Sequence, residues 1–461
     1  MLNGFQNASR IPELRRRLLF TLAMLAVYRL GIHVPTPGID RQAMAAFFDQ
    51  QKNTLFGFLN LFSGGALEQF SVFSLGIMPY ISASIILQLL TVVFPYLERL
   101  SNEGEIGRRK ITQYTRYGTV VLSIVQGMMI SVGLEGTQGP GGHGLVLSAG
   151  WGFRLMTVIT LTSGTAFIMW LGEQITERGI GNGMSLIIYS GIVVGFPRAV
   201  IQTADQIRTG QLGLISMLIL TVVMALVVAA IIFVERGHRR VTVQYAKRVV
   251  GRRMYGGSST HIPLKVNTGG VIPVIFASSI LAFPATVATM LFKGAWVESL
   301  TQQLGVGMPL YNLLFVAGIV FFAYFYTAII FNPDDVAENM RKYGGFVPGI
   351  RPGKRTAEHI DTILTRITLA GAIYLAVIAI LPQFLLSGFK VAPIPFIGEW
   401  LDVNLPKFIT EGMGVQFYFG GTSLLIVVGV AMDTVQQVES QLIMRHYDGF
   451  MKKTRIRGRR G

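Results

Sequence analysis

Long apolar runs alternate with short polar loops along the whole chain. A helix needs about 20 apolar residues to cross the hydrocarbon core of a bilayer. Ten such stretches recur: Leu18–Val34, Val72–Phe94, Tyr117–Leu134, Phe153–Leu171, Met184–Val200, Leu212–Val234, Gly270–Phe292, Leu310–Phe331, Ile367–Leu386 and Phe417–Val435. The pattern predicts an all-α membrane protein of ten spans. Arg15, Arg16 and Arg17 precede the first run, as in a signal peptide. However, Tyr28 and Arg29 interrupt its end, and His33-Val34-Pro35-Thr36-Pro37 offers no small-residue cleavage site, so the reading is a retained first span.

Two apolar segments depart from the span pattern. Leu55–Phe73 carries Asn60, Ser63, Gly64, Gly65, Glu68 and Gln69, too many polar groups for lipid exposure. Irregular backbone at membrane depth is tolerated only against protein or a water-filled cavity. The pattern alone fits a short re-entrant helix and an interfacial helix on the outer face equally, with Gly64-Gly65 as a flexible point. Gly179-Ile180-Gly181-Asn182-Gly183 joins spans four and five, and its glycines permit a tight turn with positive φ. It is a poor phosphate loop, because no strand precedes it and no Gly-Lys-Ser/Thr follows.

Two loops are too long to be simple connectors. In Glu235–Asn267, Val241–Tyr245 alternates apolar and polar positions and Met254-Tyr255-Gly256-Gly257-Ser258 suggests a turn, so a β-hairpin is expected. Asn332–Thr365 opens with a helix-like stretch containing Asp334, Asp335, Glu338, Arg341 and Lys342. Glycine and proline then alternate around Arg351, which predicts a defined, non-helical tip. Such a tip suits docking of a large partner. The bland alternative is a basic loop held by anionic lipid, at about 1 kcal/mol per cation. The tail Lys452–Gly461 is a basic run that suits either lipid headgroups or an acidic or RNA partner.

Composition agrees with a lipid environment. The 461 residues are 51% hydrophobic and only 14% charged, against about a quarter charged in soluble domains. The net charge of +16 raises the question of nucleic-acid binding, but the cations sit in short loops rather than in one patch on a folded domain. With ten spans both termini share a side, and 31 of the 40 lysines and arginines fall on that side. The positive-inside rule then makes both termini cytoplasmic.

Candidate chemistry is sparse. The chain has no cysteine, so disulfides, thiolate metal sites and cysteine nucleophiles are excluded, and its six histidines are scattered without metal-ligand spacing. No metalloprotease, nucleophile-elbow or Walker motif occurs. The carboxylates nearest the spans, such as Glu173 and Asp433, lie toward the cytoplasmic ends, and Arg29 is placed to snorkel from the outer end of span one. The spans offer no proton relay and no polar midplane site for a small-molecule transporter. An intramembrane protease would need a nucleophile with a base or a metal. A membrane scaffold without a pore fits the composition equally well. A channel for an unfolded chain needs few binding groups, and its idle seal can be a ring of aliphatic side chains that excludes water.

Several long stretches, in order, resemble the SecY family of protein-translocation channels. They are FSGGAL at Phe62–Leu67, GIMPYISASIILQLLTVV at Gly76–Val93, GEIGRRKITQYTRYGT at Gly104–Thr119 and EQITERGIGNGMS at Glu173–Ser185. STHIPLKVNTGGVIPVIFASSI at Ser259–Ile280, FVPGIRPGKRT at Phe346–Thr356 and YFGGTSLLIVVGVAMD at Tyr418–Asp433 complete the series. The resemblance implies two inverted five-helix halves around a central hourglass pore. Residues 1–203 would hold spans one to five with a short re-entrant plug helix at about 57–72. Residues 204–440 would hold spans six to ten with cytoplasmic loops 235–268 and 332–365, and 441–461 would form the tail. By motif the plug includes Phe62, Ser63, Gly64, Gly65, Ala66 and Leu67, and the pore ring is Ile77, Ile81, Met184, Ile188, Ile275 and Ile426. Met184 departs from the isoleucine of many relatives, which would soften the seal there.

The resemblance further implies a lateral gate between spans two and three on one side and seven and eight on the other. Arg252, Arg253, Arg351, Pro352 and Gly353 would dock the SecA motor or the ribosome. Expected partners are the SecE and SecG subunits, SecA, the ribosome, signal sequences and nascent polypeptides, with YidC, SecDF and anionic lipids in addition. The family binds no cofactor and hydrolyses no ATP itself. The expected location is the bacterial plasma (inner) membrane, as a multi-pass protein.

Overall fold

A computed structural model describes residues 11–50, 60, 63–137, 144–210, 213–245, 248–250, 253–255, 259–291, 303–305, 307–388, 410 and 420–453. Each of the ten predicted spans coincides with a helix. In chain order the helices are α1 (Pro12–Ile32), α2 (Arg41–Gln50), α3 (Met78–Val93), α4 (Pro95–Asn102), α5 (Glu105–Glu135), α6 (Trp151–Arg178), α7 (Gly183–Arg208) and α8 (Leu214–Glu235). Then follow α9 (Ile272–Leu291), α10 (Pro309–Ile330), α11 (Pro333–Lys342), α12 (Lys354–Ser387) and α13 (Gly421–Lys453).

Several helices outrun the apolar stretch that predicts them. Helix α5 begins at Glu105 rather than Tyr117, and α12 at Lys354 rather than Ile367. Hydropathy detects only the part that needs lipid, whereas Glu, Lys, Arg and Gln continue a helix readily in water. Among the described residues, seven helices are long and apolar enough to cross a membrane on their own, and an eighth if α3 and α4 form one broken span. Those two are bent by 99° at Phe94. Phe94 precedes Pro95 and adopts an extended φ of −97° and ψ of 115°, because the proline ring disfavours the helical region for its predecessor.

The outer faces of these helices expose large apolar groups, among them Leu30 on α1, Ile215, Leu218, Leu226 and Phe233 on α8, and Leu313 on α10. Such surfaces need lipid around them. Between helices, small residues permit close approach. On α5, Thr115, Thr119, Ser123, Gly127 and Ser131 recur every fourth position and all are buried. The hydroxyls of Thr115 and Thr119 donate to carbonyls of their own helix. A β-carbon at Gly127 would rest at 3.5 Å from Val158 Cα on α6. Without a hydrophobic driving force between helices in lipid, such small-residue contacts supply the packing energy.

The polar loops fold as well. Strands β1 (His238–Tyr245) and β4 (Ser259–Lys265) pair antiparallel with His238 opposite Lys265, and β2 (Arg248–Val250) pairs with β3 (Arg253–Tyr255). Strand β5 (Gly345–Phe346), from the second long loop, joins the other edge of β1, giving the order β4-β1-β5. Val241, Val243 and Leu264 from the sheet bury themselves with Met340, Val347 and Ile360.

The chain divides into two compact units. The first comprises Met1–Ile201, Ala282–Thr301 and Val430–Gly461, and the second Gln202–Leu281 and Gln302–Gly429.

Candidate functional site

The segment read as a plug begins at Asn60 and Ser63 among the described residues; Phe62 lies outside them. Ser63–Phe70 is a succession of turns. Gly64 and Gly65 take φ of +68° and +87°, a region that costs a side-chain-bearing residue about 1 kcal/mol or more. Asn60 and Glu68 close the segment on itself: the Asn60 amide donates to Glu68 Oε2 (3.2 Å) and the Glu68 N–H donates to Asn60 Oδ1 (2.9 Å). Ser74 Oγ donates to the carbonyl of Ala66. Ala66 and Phe70 are buried, and Leu67 packs with Met44, Phe48, Leu75, Leu145 and Leu161.

Helix α1 grips this segment from one side. Tyr28 Oη donates to the Ser63 carbonyl at 3.1 Å. Arg29 Nη1 donates to the Gly64 carbonyl at 3.0 Å, while Nη2 donates to the carbonyls of Ser190 (2.8 Å) and Gly191 (3.4 Å) on α7. Arg29 therefore does not snorkel to the interface as the sequence suggests. Three carbonyl oxygens within reach give its guanidinium an inward environment that suits its planar donor fork. The signal was present in the sequence: a charged residue inside an otherwise apolar span is a functional candidate by default. Below Arg29, the Phe73 ring lies over Gly31, where any β-carbon would overlap it. Phe73 stacks on Tyr28 at 5.8 Å and on Phe167 at 6.0 Å.

Of the six residues read from the sequence as a pore ring, Ile77, Ile81, Met184 and Ile188 belong to the first compact unit. Ile77 sits at the N-terminus of α3, and Ile81 follows one turn later, its N–H donating to the Ile77 carbonyl. Met184 and Ile188 are likewise one turn apart on α7. Their helix starts from the glycine turn, where Asn182 Oδ1 accepts from the N–H groups of Met184 and Ser185. Gly181 there takes φ of +91°. Any β-carbon at Gly183 would overlap the Gly172 carbonyl, and one at Gly172 would overlap Met184 Sδ, so α6 and α7 meet almost backbone to backbone. Ile77, Ile81, Ile188, Ile275 and Ile426 are buried, and Met184 is half-buried.

Ile275 on α9 and Ile426 on α13 belong to the second unit. Ser278 and Ser279 both donate to the Ile275 carbonyl. A β-carbon at Gly429 would overlap the Val271 side chain, which packs on the α13 backbone about one turn from each of these isoleucines.

The loop tip is as ordered as its punctuation predicts. Gly349 and Gly353 take φ of +81° and +105°, and Thr356 Oγ1 donates to the Arg351 carbonyl. Arg351 and Pro352 are exposed. The tip leads directly into α12 through Gly353. Arg253 lies on β3 opposite Val250, and Arg252 lies outside the described residues.

The family model for SecY matches residues 71–435. The chain is 49% identical over 458 residues to the protein translocase subunit SecY of Escherichia coli (strain K12), covering 98% of each chain. It is 48% identical over 451 residues to that of Pseudomonas aeruginosa PAO1, covering 97% of this chain and 95% of the other. A solved protein-conducting channel superposes with a TM-score of 0.63 at 16% identity, over 93% of this chain and 92% of that one. The channel of the canine ribosome–channel complex from the endoplasmic reticulum superposes with a TM-score of 0.59 at 16% identity, over the same shares.

Proposed function

The chain belongs to the SecY family, and from that premise we propose that it forms a passive channel for unfolded polypeptides. Secretory proteins pass across the membrane, and the helices of membrane proteins leave sideways into lipid. The observation that carries this reading is near-half identity to protein translocase subunits over almost the whole chain. The polar seat of the Ser63–Phe70 segment supports it, because a plug must be held at membrane depth without becoming part of the wall.

In this reading Ile77, Ile81, Met184, Ile188, Ile275 and Ile426 form the constriction. Branched aliphatic side chains let a polypeptide slide while excluding water, since none can hydrogen-bond the passing backbone. Met184 is the most adaptable of the six. The Arg351-Pro352-Gly353 tip, exposed at Arg351 and Pro352, and the β2–β3 hairpin dock the SecA motor or the ribosome, which supply the push. SecE and SecG complete the complex in a bacterial inner membrane, with both termini in the cytoplasm.

Crosslinking from an Ile275→Cys variant tests the ring. The parent chain has no cysteine, so the probe reports one position. With a secretory precursor halted midway in vesicles containing SecE and SecA, the expected result is a crosslink that requires both ATP and the signal sequence. If an Arg351→Cys variant crosslinks to SecA but Ile275→Cys never meets the precursor, docking stands and the ring assignment is wrong.

A further inference from the structure

We propose that Arg29 is the latch that holds the plug segment on α7, a positioning residue for the closed channel; this rests on the plug reading above. One guanidinium bridges two elements: Nη1 donates to Gly64 in the plug segment, and Nη2 donates to Ser190 and Gly191 on α7. The backbones it joins are nearly in contact. An added β-carbon at Gly64 would lie 2.8 Å from Gly191 Cα. Glycine at both positions removes the side chains that would separate them, and Gly64 takes a φ of +68°, a conformation that favours glycine.

The bonding is asymmetric in a way that suits a reversible device. Ser190 and Gly191 are helical residues of α7, so their carbonyls stay in place when the plug segment moves. Each carbonyl oxygen has a second lone pair for Arg29 beyond its helical bond. Gly64 alone is exchangeable. When it departs, its carbonyl is hydrated and the guanidinium keeps its hold on α7, ready for the segment to return. An arginine fork can serve two elements at once, whereas a lysine ammonium is a point charge on a flexible stem and cannot bridge them in fixed geometry. Tyr28 reinforces the contact one residue away through Ser63.

The test uses the thiol of a single Ala66→Cys variant, since Ala66 is fully buried in the seated segment and the chain has no other cysteine. The full complex is placed in lipid vesicles, and the rate of reaction with a membrane-impermeant maleimide reports departure of the segment. Combining Ala66→Cys with Arg29→Leu is expected to raise the idle rate at least tenfold, about 1.4 kcal/mol, with Arg29→Lys in between. A rate within twofold of the parent overturns the latch. Should Arg29→Leu fail to assemble, Arg29→Gln keeps a polar side chain without the bridging fork and is expected to give an acceleration of the same order, and an unchanged rate there would equally overturn the latch. The parent also separates this idea from its premise. If a halted precursor does not raise the rate with Arg29 intact, the plug reading fails and the latch with it. If it does, while Arg29→Leu leaves the idle rate unchanged, only the latch fails.

Discussion

At the scale of single residues, two charged groups at the ends of the spans, Glu135 and Arg29, are held by specific partners. Glu135, at the end of α5, accepts from the Gly150 N–H (2.9 Å) and from Nε (2.9 Å) and Nη2 (2.6 Å) of Arg154. Arg154 in turn lies 5.3 Å from the Trp151 ring centre. Both arginine nitrogens converge on Glu135 Oε2 while Oε1 takes the Gly150 N–H, a charge-assisted pair whose glutamate side chain is 9% exposed and which is costly to break from one side. Glu135→Gln keeps the shape but removes the charge, and it should destabilise the α5–α6 connection by about 1–3 kcal/mol. Thermal unfolding of the purified complex measures this, and an unchanged midpoint would mean the pair is screened. Arg29 follows the same logic, but its partners are backbone carbonyls that no sequence pattern could name. The arginine was visible in the sequence; the fold of the segment that presents Gly64 to it was not.

At the scale of elements, the two long polar loops form one platform. Strand β5 adds Gly345 and Phe346 to the edge of β1, and the buried side of the sheet sits on Met340, Val347 and Ile360. Val243 is at the centre, 1% exposed. Val243→Asp would bury a carboxylate without a partner, at a cost of several kcal/mol. The expected outcome is lost amide-exchange protection across His238–Lys265 with membrane insertion intact. Binding to the ribosome or motor should fall in step; persistence of full protection would show that the loops hold independently. The β1 strand was legible because Val241–Tyr245 alternates, but the turn read at Met254–Ser258 was not: Met254 and Tyr255 belong to strand β3, paired with Val249 and Arg248, and Gly256–Ser258 lie outside the described residues. The β5 pairing was not, since two residues carry no strand pattern and their partner lies far away in the chain. The start of α3 was misplaced for a related reason. Val72, Phe73 and Leu75 are apolar, yet they lie in turns that follow the Ser63–Phe70 segment, and any β-carbon at Gly164 of α6 would overlap the Val72 carbonyl. Hydropathy cannot separate an apolar turn from an apolar helix.

At the scale of the whole molecule, ten helices were readable because bilayer thickness sets the length of each apolar run, while pore and seal depend on contacts that apolar spacing does not encode. Orientation is different, because charge does encode it. With 31 of 40 cations on the side of the termini, and about 1 kcal/mol for each near an anionic surface, the inverted arrangement is strongly disfavoured. Two exposed positions test this. Thr209 ends α7 on the side expected to face outward, and Tyr343, 79% exposed, follows α11 on the side expected to face the cytoplasm. A Thr209→Cys thiol should react with an impermeant reagent in right-side-out vesicles, and a Tyr343→Cys thiol only in inverted ones. The reverse result would turn the Arg351 tip away from any cytoplasmic motor or ribosome. Docking and direction of transport would then fall together, while the ten-helix fold, which owes nothing to orientation, would stand.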